Sequence, residues 1–196
     1  MDQLVEQVIR RIVIEMEASG RHVHLTKEVA EYLFGHGLTE KRPLSQPGQF
    51  VCNERVTLIG ERGRMENVAV LGPERKSCQV ELSMTDCVTL GMEAPVRLSG
   101  DTRDTNGITL EHNGKRLSLC EGVIVAKRHI HMTPKDAALR GLHNGDVVRL
   151  RALTERPVIF EDVCVRVSKD FCTYAHLDYD EANACGFRKG DVGLIV

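Results

Sequence analysis

The sequence contains one short histidine pattern twice, and this repeat constrains the fold more than any other feature. The copies are GRHVHLT at 20–26 and KRHIHMTP at 127–134, and both have the form Arg-His-β-branched-His-apolar-Thr. In a β-strand, residues i and i+2 lie on the same face. Each copy therefore predicts a short strand with two imidazoles on one face and apolar side chains on the other.

Both strands are expected to lead directly into a helix. Thr26 precedes the segment KEVAEYLFG, in which Gly35 is the expected helix stop. In the second copy, Thr133-Pro134-Lys135-Asp136 matches a capping box with proline at the first helical position. The repeated strand-to-helix unit favours an internal duplication.

Composition excludes several classes of protein. The 196 residues are 42% hydrophobic and 28% charged, with a net charge of −2, which is typical of a globular protein and gives no basic field for nucleic acid. No apolar run approaches the roughly 20 residues of a membrane helix, and the N-terminal apolar stretch is broken by charges, unlike a signal peptide. The seven cysteines contain no CxxC pair, which argues against a disulfide framework or a cysteine-ligated zinc site.

Short strand-like segments separated by turns make up most of the remaining sequence. Residues 2–17 are the exception, because their apolar positions approach helical spacing and predict an amphipathic helix. The predicted fold class is mainly β with short α-helices, arranged as two small β-barrels. The expected strands are at 55–60, 67–72, 79–83, 107–112, 116–119, 122–132, 146–153, 157–167 and 173–178.

Two imidazoles on one strand face are suited to bind a metal ion together. Glu81 and His176 are the strand-borne candidates for a further ligand, and Asp86, Asp178 and Glu121 remain alternatives. Imidazole with carboxylate suits zinc, although cobalt, nickel and ferrous iron fit as well.

Two arginines are candidates for binding an anionic substrate. Arg75 follows a Gly-Pro turn in LGPERKS, and Arg97 precedes a Ser-Gly-Asp turn in PVRLSGD. A guanidinium group pairs with two oxygens of a phosphate or carboxylate. If one strand runs from Arg75 to Glu81, their even spacing puts both side chains on the same face.

Taken together, these stretches resemble the propanediol-utilisation (PduL-type) phosphotransacylases, or phosphate propanoyltransferases, which are phosphate acyltransferases of bacterial microcompartments. The resemblance runs from Ser19 to Gly186 in the family's order. The matching stretches are RHVHLT, LSQPGQF, NVAVLGPERKSCQVELSMTD, LGMEAPVRLSGD, EGVIVAKRHIHMTP and AHLDYDEANACG.

The resemblance implies a reversible reaction in which a short-chain acyl-CoA, either propionyl-CoA or acetyl-CoA, reacts with phosphate to give acyl phosphate and CoA. It implies that the reaction takes place at a pair of divalent metal ions, usually zinc. It also implies one barrel from 19–34 with 120–196, a second from 35–119, and an N-terminal segment at 1–18 that targets or docks the enzyme.

The resemblance also implies roles for individual residues. Arg75 corresponds to the arginine that holds phosphate. Ala69 and Met84 depart from the family pattern at positions near the CoA channel. The implied ligands are His22, His24 and Glu81 for one metal and His129, His131 and His176 for the other. The implied CoA contacts are Ser19, Gly20, Arg21, Arg62 and Asn183.

The expected partners are acyl-CoA, phosphate, further copies of the chain in a homo-oligomer, and microcompartment shell or core proteins. No nucleic acid or membrane partner is expected. The expected location is the cytoplasm, inside a microcompartment that serves propanediol or ethanolamine degradation.

Three other classes of protein share part of the pattern. His22, His24 and Glu28 match part of a cupin motif, which requires Glu28 on a strand where the sequence predicts a helix. A zinc hydrolase of the metallo-β-lactamase kind needs HxHxDH, but Leu25-Thr26 follows His24. A scaffolding protein with structural zinc has no need of Arg75 beside its metal.

Overall fold

The computed structural model of the protein describes residues 12–196, and β-strands dominate this part of the chain. The strands are β1 (Val13–Ser19), β2 (His22–His24), β3 (Glu40–Pro43), β4 (Phe50–Ile59), β5 (Arg64–Gly72), β6 (Gln79–Leu82), β7 (Val96–Arg97), β8 (Thr109–His112), β9 (Lys115–Ser118), β10 (Val123–Ala126), β11 (His129–Met132), β12 (Val147–Leu153), β13 (Ile159–Val167), β14 (Tyr174–Asp178) and β15 (Val192–Ile195). The helices are α1 (Lys27–Phe34), α2 (Met84–Leu90), α3 (Pro134–Arg140) and α4 (Tyr179–Ala184).

The strands form two sheets. Six of them form a closed barrel in the order β1-β14-β11-β13-β12-β15, and antiparallel pairing of β1 with β15 closes it. The other sheet has the order β7-β10-β6-β2-β5-β4-β8-β9, with β3 paired to β4. The predicted fold class, mainly β with short helices, is confirmed. One predicted barrel is closed, and the other is a half-barrel sheet.

Each sheet is the centre of a compact unit. The sheet unit is Gly20–Ala126, and the barrel unit contains β1 and Lys127–Val196. The predicted boundaries differ, because they assign residues 19–34 and 120–126 to the barrel. In the structure, β2 is hydrogen-bonded between β5 and β6, and β10 also pairs with β6.

The prediction of a helix over residues 2–17 is wrong for its C-terminal part. Val13–Ser19 is a strand in which buried Ile14 and Met16 alternate with Glu15 and Glu17. This period of two is the signature of a half-buried strand, and pairing on both sides outweighs the helical tendency. The earlier part of the predicted helix lies outside the described residues.

The two units share one connectivity. In the sheet unit, β2 lies between parallel β5 and antiparallel β6, and in the barrel unit β11 lies between parallel β13 and antiparallel β14. The strand that precedes each histidine strand belongs to the other unit. Before β2, strand β1 pairs in parallel with β14 of the barrel unit, and before β11, strand β10 pairs in parallel with β6 of the sheet unit. This matching pattern supports an internal duplication in which the first strands are exchanged, and it explains why the predicted strand 122–132 is divided into β10 and β11.

The apolar positions of both histidine strands lie in the core, as the strand period predicts. Val23 and Leu25 belong to the core of the sheet unit, and Ile130 and Met132 belong to the core of the barrel unit. All four are 0% exposed. Burial of these side chains fixes which face of each strand carries the imidazoles, because a slip of one residue would reverse the faces.

The helices that follow the histidine strands begin where the sequence predicts. Thr26 Oγ1 accepts the N–H of Val29, and left-handed Gly35 ends α1. Thr133 Oγ1 accepts the N–H of Asp136, but the predicted capping box is indirect. The N–H of Thr133 donates to Thr173 Oγ1, which in turn donates to the Asp136 carboxylate. No helix within residues 12–196 has the length and apolar character needed to span a membrane.

The cysteines act mainly as small apolar residues. Among the described residues none forms a disulfide, and Cys52 and Cys185 are fully buried. Burial, followed by the nearby Glu54 carboxylate, raises the pKa of the Cys52 thiol to about 12. Burial also raises the pKa of Cys185. A thiol with a raised pKa is a poor nucleophile, so these two side chains serve packing.

A pair of N-terminal deletions tests the role of β1. Deletion of residues 2–17 removes the buried side chains of Ile14 and Met16 together with the strand that joins β14 to β15, so we expect loss of the cooperative thermal transition. Deletion of residues 2–11 retains β1 and should retain that transition, as measured by circular dichroism with size-exclusion chromatography as the control. Equal melting curves for the two deletions would contradict the assignment of β1 to the barrel.

Candidate functional site

The first histidine pair lies beside a carboxylate in the sheet unit. His22 and Glu81 are directly opposed across the antiparallel pair β2 and β6. His24 follows on the same strand, and all three side chains are buried. One possible ligand atom from each residue lies within 4.8 Å of the others. The cross-strand register thus brings together three residues that are distant in the sequence.

The geometry of this group fits a metal ion. The Nε2 atoms of His22 and His24 are 3.2 Å apart, close to the roughly 3.3 Å between ligands of a tetrahedral site with bonds of 2.0–2.1 Å. The Nδ1 atoms face the carbonyl oxygens of Gly20 at 2.8 Å and Leu71 at 3.2 Å. In this tautomer each Nδ1–H donates to a carbonyl, and both Nε2 lone pairs face the interior of the group. A cation between the two rings would be bound by both Nε2 lone pairs.

The protonation of the group also suits a metal ligand set. Burial opposes ionisation of Glu81, but the two histidines, His22 above all, outweigh it and hold the pKa of that carboxyl well below its usual range. Burial, with repulsion from His22 and then Arg75, holds the pKa of His24 well below its usual value. Burial would also lower the pKa of His22, but attraction to Glu81 raises it overall. A metal ion therefore competes with a proton mainly at His22.

The second histidine pair lies beside a third histidine in the barrel unit. His129 and His176 are directly opposed across β11 and β14, and His131 follows on β11. The three ring centroids lie 4.6–5.0 Å apart, and one nitrogen from each ring falls within 4.8 Å of the others. The Nδ1 atom of His129 faces the carbonyl of Lys127 at 2.8 Å, which repeats the arrangement of His22 and Gly20.

The other two histidines of the second group are oriented by different neighbours. The ring of His131 stacks on Phe171, with centroids 3.9 Å apart and planes 22° apart. The guanidinium carbon of Arg166 lies 5.7 Å from the Phe171 centroid. His176 Nδ1 is 3.5 Å from a carboxylate oxygen of Glu17 on β1. A carboxylate behind a ligating histidine fixes the ring and raises its basicity.

Arg75 reaches the first group by a route that differs from the prediction. It does not share a continuous strand with Glu81, because β6 begins at Gln79 and Arg75 lies in the preceding loop. Its backbone N–H donates to the carbonyl of Leu25 at 2.8 Å, and its Nη1 donates to Ser99 Oγ at 3.2 Å. The charge of Arg75 lowers the pKa of the neighbouring imidazoles, as its influence on His24 shows.

Gln79 and Ser99 connect Arg75 to Glu81, and the sequence-based prediction missed both. The buried Gln79 Nε2 donates to Glu81 Oε1 at 2.5 Å and to Ser99 Oγ at 2.9 Å. Gly100 N–H donates to Gln79 Oε1 at 2.7 Å, so the amide is bonded at both ends. The available signal was a glutamine at the start of the predicted strand 79–83, on the same face as Glu81 two residues later, since a buried amide requires several partners.

Three residues implied as CoA contacts are consecutive with the first histidine. Ser19 is the last residue of β1, and Gly20 supplies the carbonyl that faces the ring of His22. Arg21 lies between Gly20 and His22. The Arg21 guanidinium forms an ion pair with buried Asp86, at 2.9 Å from Nε and 2.7 Å from Nη2. The Arg21 side chain stays 42% exposed in this ion pair, and its implied contact with CoA stays a prediction.

The other two implied CoA contacts lie in separate units. Arg62, in the turn between β4 and β5, packs its side chain beside Gly91 and lines a cavity of ≈ 940 Å³ in the sheet unit. Asn183 lies within α4 of the barrel unit. Of the two departures from the family pattern, Ala69 is the parallel-strand partner of His22, and Met84 is an exposed residue of α2.

The other candidates lie outside both metal groups of the described chain. Asp86 and Asp178 belong to the capping boxes of α2 and α4, and Glu121 is exposed. Arg97 is exposed and pairs with Asp101 at 3.0 Å. Glu28 lies in helix α1, which excludes the cupin arrangement.

Comparison with known proteins gives one consistent result. Residues 15–188 match the family described as phosphate propanoyltransferase. A phosphate propanoyltransferase of Enterococcus faecalis is 52% identical, with 100% of this chain and 97% of the relative covered. The protein of that name from Listeria monocytogenes is 53% identical over 98% of this chain and 93% of its own length. The one from Thermotoga maritima is 49% identical over 91% and 86%.

Metal content tests the two groups directly. Elemental analysis of purified protein should find about two transition-metal ions per chain, as two three-ligand sites require. His24→Ala and His131→Ala should each lose one ion, because each removes a ligand from one group. The control His143→Ala, at an exposed histidine paired with Asp146, should keep both ions. A fully active preparation without metal would contradict the assignment.

Proposed function

Because this chain belongs to the phosphate propanoyltransferase family and is therefore a phosphate acyltransferase, we propose that it converts propionyl-CoA or acetyl-CoA and phosphate to acyl phosphate and CoA, reversibly. We propose further that each buried three-residue group holds one divalent metal ion. The observation that carries the proposal is the pair of convergent ligand groups, one of which is joined by hydrogen bonds to Arg75.

In this reaction a phosphate oxygen attacks the thioester carbonyl carbon. The new carbon–oxygen bond forms, the carbon–sulfur bond breaks, and CoA leaves as the thiolate. Phosphate is the nucleophile, so the chain has no need of a serine or cysteine nucleophile. The raised pKa of the Cys52 and Cys185 thiols agrees with this view.

Arg75 binds phosphate in this proposal. Its guanidinium matches two phosphate oxygens, and holding phosphate in line with the carbonyl carbon removes much of the entropic cost of the encounter. Ser99 Oγ accepts a hydrogen bond from Arg75 and so limits the orientations of the guanidinium. Gln79 extends this restraint to Glu81, which connects phosphate binding with the first metal group.

The two metal groups differ in formal charge. His22, His24 and Glu81 contribute one negative charge, whereas His129, His131 and His176 contribute none. A divalent ion, when bound, supplies a Lewis acid that polarises the thioester carbonyl and stabilises the thiolate. The imidazole-rich sets favour zinc, and cobalt, nickel and ferrous iron are the other ions that suit them. The neighbouring charges offset this difference, because Arg75 acts on the first group and the Glu17 carboxylate lies 3.5 Å from His176 in the second.

The cellular setting is also a proposal. The resemblance to microcompartment enzymes supports a cytoplasmic homo-oligomer, packaged in a bacterial microcompartment for propanediol or ethanolamine degradation. Residues 1–11 lie outside the described structure and are the proposed docking segment for shell or core proteins. CoA is proposed to contact Ser19, Gly20, Arg21, Arg62 and Asn183.

The activity is tested by thiol release. Incubation with propionyl-CoA and phosphate should release free CoA thiol, and omission of phosphate should abolish the signal, because the phosphate oxygen is the nucleophile. Removal of metal with a chelator should stop the reaction, and zinc should restore it. Thiol release that is independent of phosphate would indicate a hydrolase instead.

Substitutions of Arg75 test the phosphate site. Arg75→Ala should lower kcat/KM for phosphate by about 10²-fold or more, the scale of one lost transition-state contact, while metal content is retained. Arg75→Lys should show an intermediate loss, since it keeps the charge without the bidentate geometry.

The matched control is Arg97→Ala, which removes an exposed arginine that pairs with Asp101. It should leave the phosphate kinetics unchanged. Normal phosphate kinetics in Arg75→Ala would show that the arginine has no part in binding phosphate.

A further inference from the structure

We infer that Arg21 and Arg128 are positioning residues, each of which sets the distance between the first histidine of a metal group and the third ligand on the neighbouring strand. This inference rests on the proposed metal groups and assigns a role to residues outside both ligand sets. It is a second role for Arg21, beside its implied contact with CoA.

In the sheet unit, Arg21 immediately precedes His22 and pairs with Asp86, which is 2% exposed. The other Asp86 oxygen accepts the N–H of Ser83 at 3.1 Å, and Ser83 Oγ accepts the N–H of Asp86 at 3.2 Å. Ser83 lies two residues after Glu81. The ion pair therefore joins the start of β2 to the end of β6, next to the opposed ligands.

The barrel unit repeats this arrangement with different side chains. Arg128 immediately precedes His129, and its Nη1 donates to Glu181 Oε1 at 2.6 Å. Glu181 Oε2 accepts the N–H of Asp178 at 3.1 Å, and Asp178 Oδ1 accepts the N–H of Glu181 at 2.8 Å. Asp178 lies two residues after His176. In both units an arginine thus precedes the first histidine. The carboxylate that pairs with this arginine belongs to the capping box that follows the third ligand.

The location of each arginine explains how it can act on the metal ligands. Arg21 lies between Gly20, whose carbonyl faces the ring of His22, and His22 itself. Arg128 holds the same place between Lys127 and His129. Anchoring the middle residue fixes both the carbonyl that orients the ring and the backbone that carries it.

The anchors also lie where the chain passes between units. Unit boundaries fall between Ser19 and Gly20 and between Ala126 and Lys127. The segment before each histidine strand therefore leaves one sheet before it joins the next. In each unit the arginine pairs with a carboxylate that also accepts a backbone N–H, and this restrains the segment where strand pairing is interrupted.

Zinc affinity in single-site proteins tests the inference. In a His131→Ala background, which leaves the sheet-unit group intact, Arg21→Ala should weaken zinc binding by about 10–100-fold, the usual effect of losing a residue that orients a ligand. Arg128→Ala in that background should leave zinc affinity unchanged. In a His24→Ala background the effects of the two arginine substitutions should be reversed. Affinity is measured by titrating metal-free protein with zinc against a competing chelator.

The design separates positioning from general stability and from CoA binding. Thermal unfolding of metal-free protein gives the structural effect, and Arg21→Lys and Asp86→Asn provide milder changes that should weaken zinc binding less than Arg21→Ala. The inference is overturned if zinc affinity falls equally in both backgrounds, or if Arg21→Ala raises only the KM for CoA. If the single-site parents bind no zinc, the proposed metal groups are themselves wrong.

Discussion

Both candidate metal groups depend on one constraint, the register of an antiparallel strand pair. His22 is opposed to Glu81, and His129 is opposed to His176. Directly opposed side chains in such pairs have Cβ atoms about 4.5–5.5 Å apart, and the second histidine joins them because it lies two residues along the same face. A slip of one residue would turn the imidazoles into the apolar core and destroy the group. The register is therefore a functional requirement as well as a structural one, and the buried apolar residues of the histidine strands maintain it.

The same framework carries two different ligand sets. A carboxylate completes the group in the sheet unit, and an imidazole completes the group in the barrel unit. The carboxylate also receives the amide of Gln79, which is bonded through Ser99 to Arg75. In the proposed function, the sheet unit combines a candidate metal group with the arginine that is proposed to bind phosphate, while the barrel unit holds an all-histidine candidate group. Duplication followed by divergence at one opposed position accounts for this division.

Several errors in the sequence-based predictions have a common physical origin. The segment Val13–Ser19 has apolar residues that fit a helix or a strand, and its place between β14 and β15 decides for the strand. The predicted domain boundaries differ from the two compact units, because β1 pairs within the barrel unit and β10 pairs within the sheet unit. Arg75 approaches Glu81 through a loop and two hydrogen-bonded side chains rather than along one strand. The capping boxes of α2 and α4 were readable as Ser-x-x-Asp and Asp-x-x-Glu, but neither helix was predicted.

Local chemistry was sufficient to identify the histidine strands, their buried faces, the start and end of α1 and the cap of α3. Each of these follows from the period of two in a strand or from backbone groups within a few residues of one another. From the residues alone the third ligand of each group stayed open among Glu81, His176 and three other carboxylates, and only the resemblance to a known family selected among them. The folded chain brings Glu81 and His176 to their histidines because strand register depends on pairing between segments that are distant in sequence. The same long-range pairing determines the place of Gln79, the reach of Arg75 and the partners of Arg21 and Arg128.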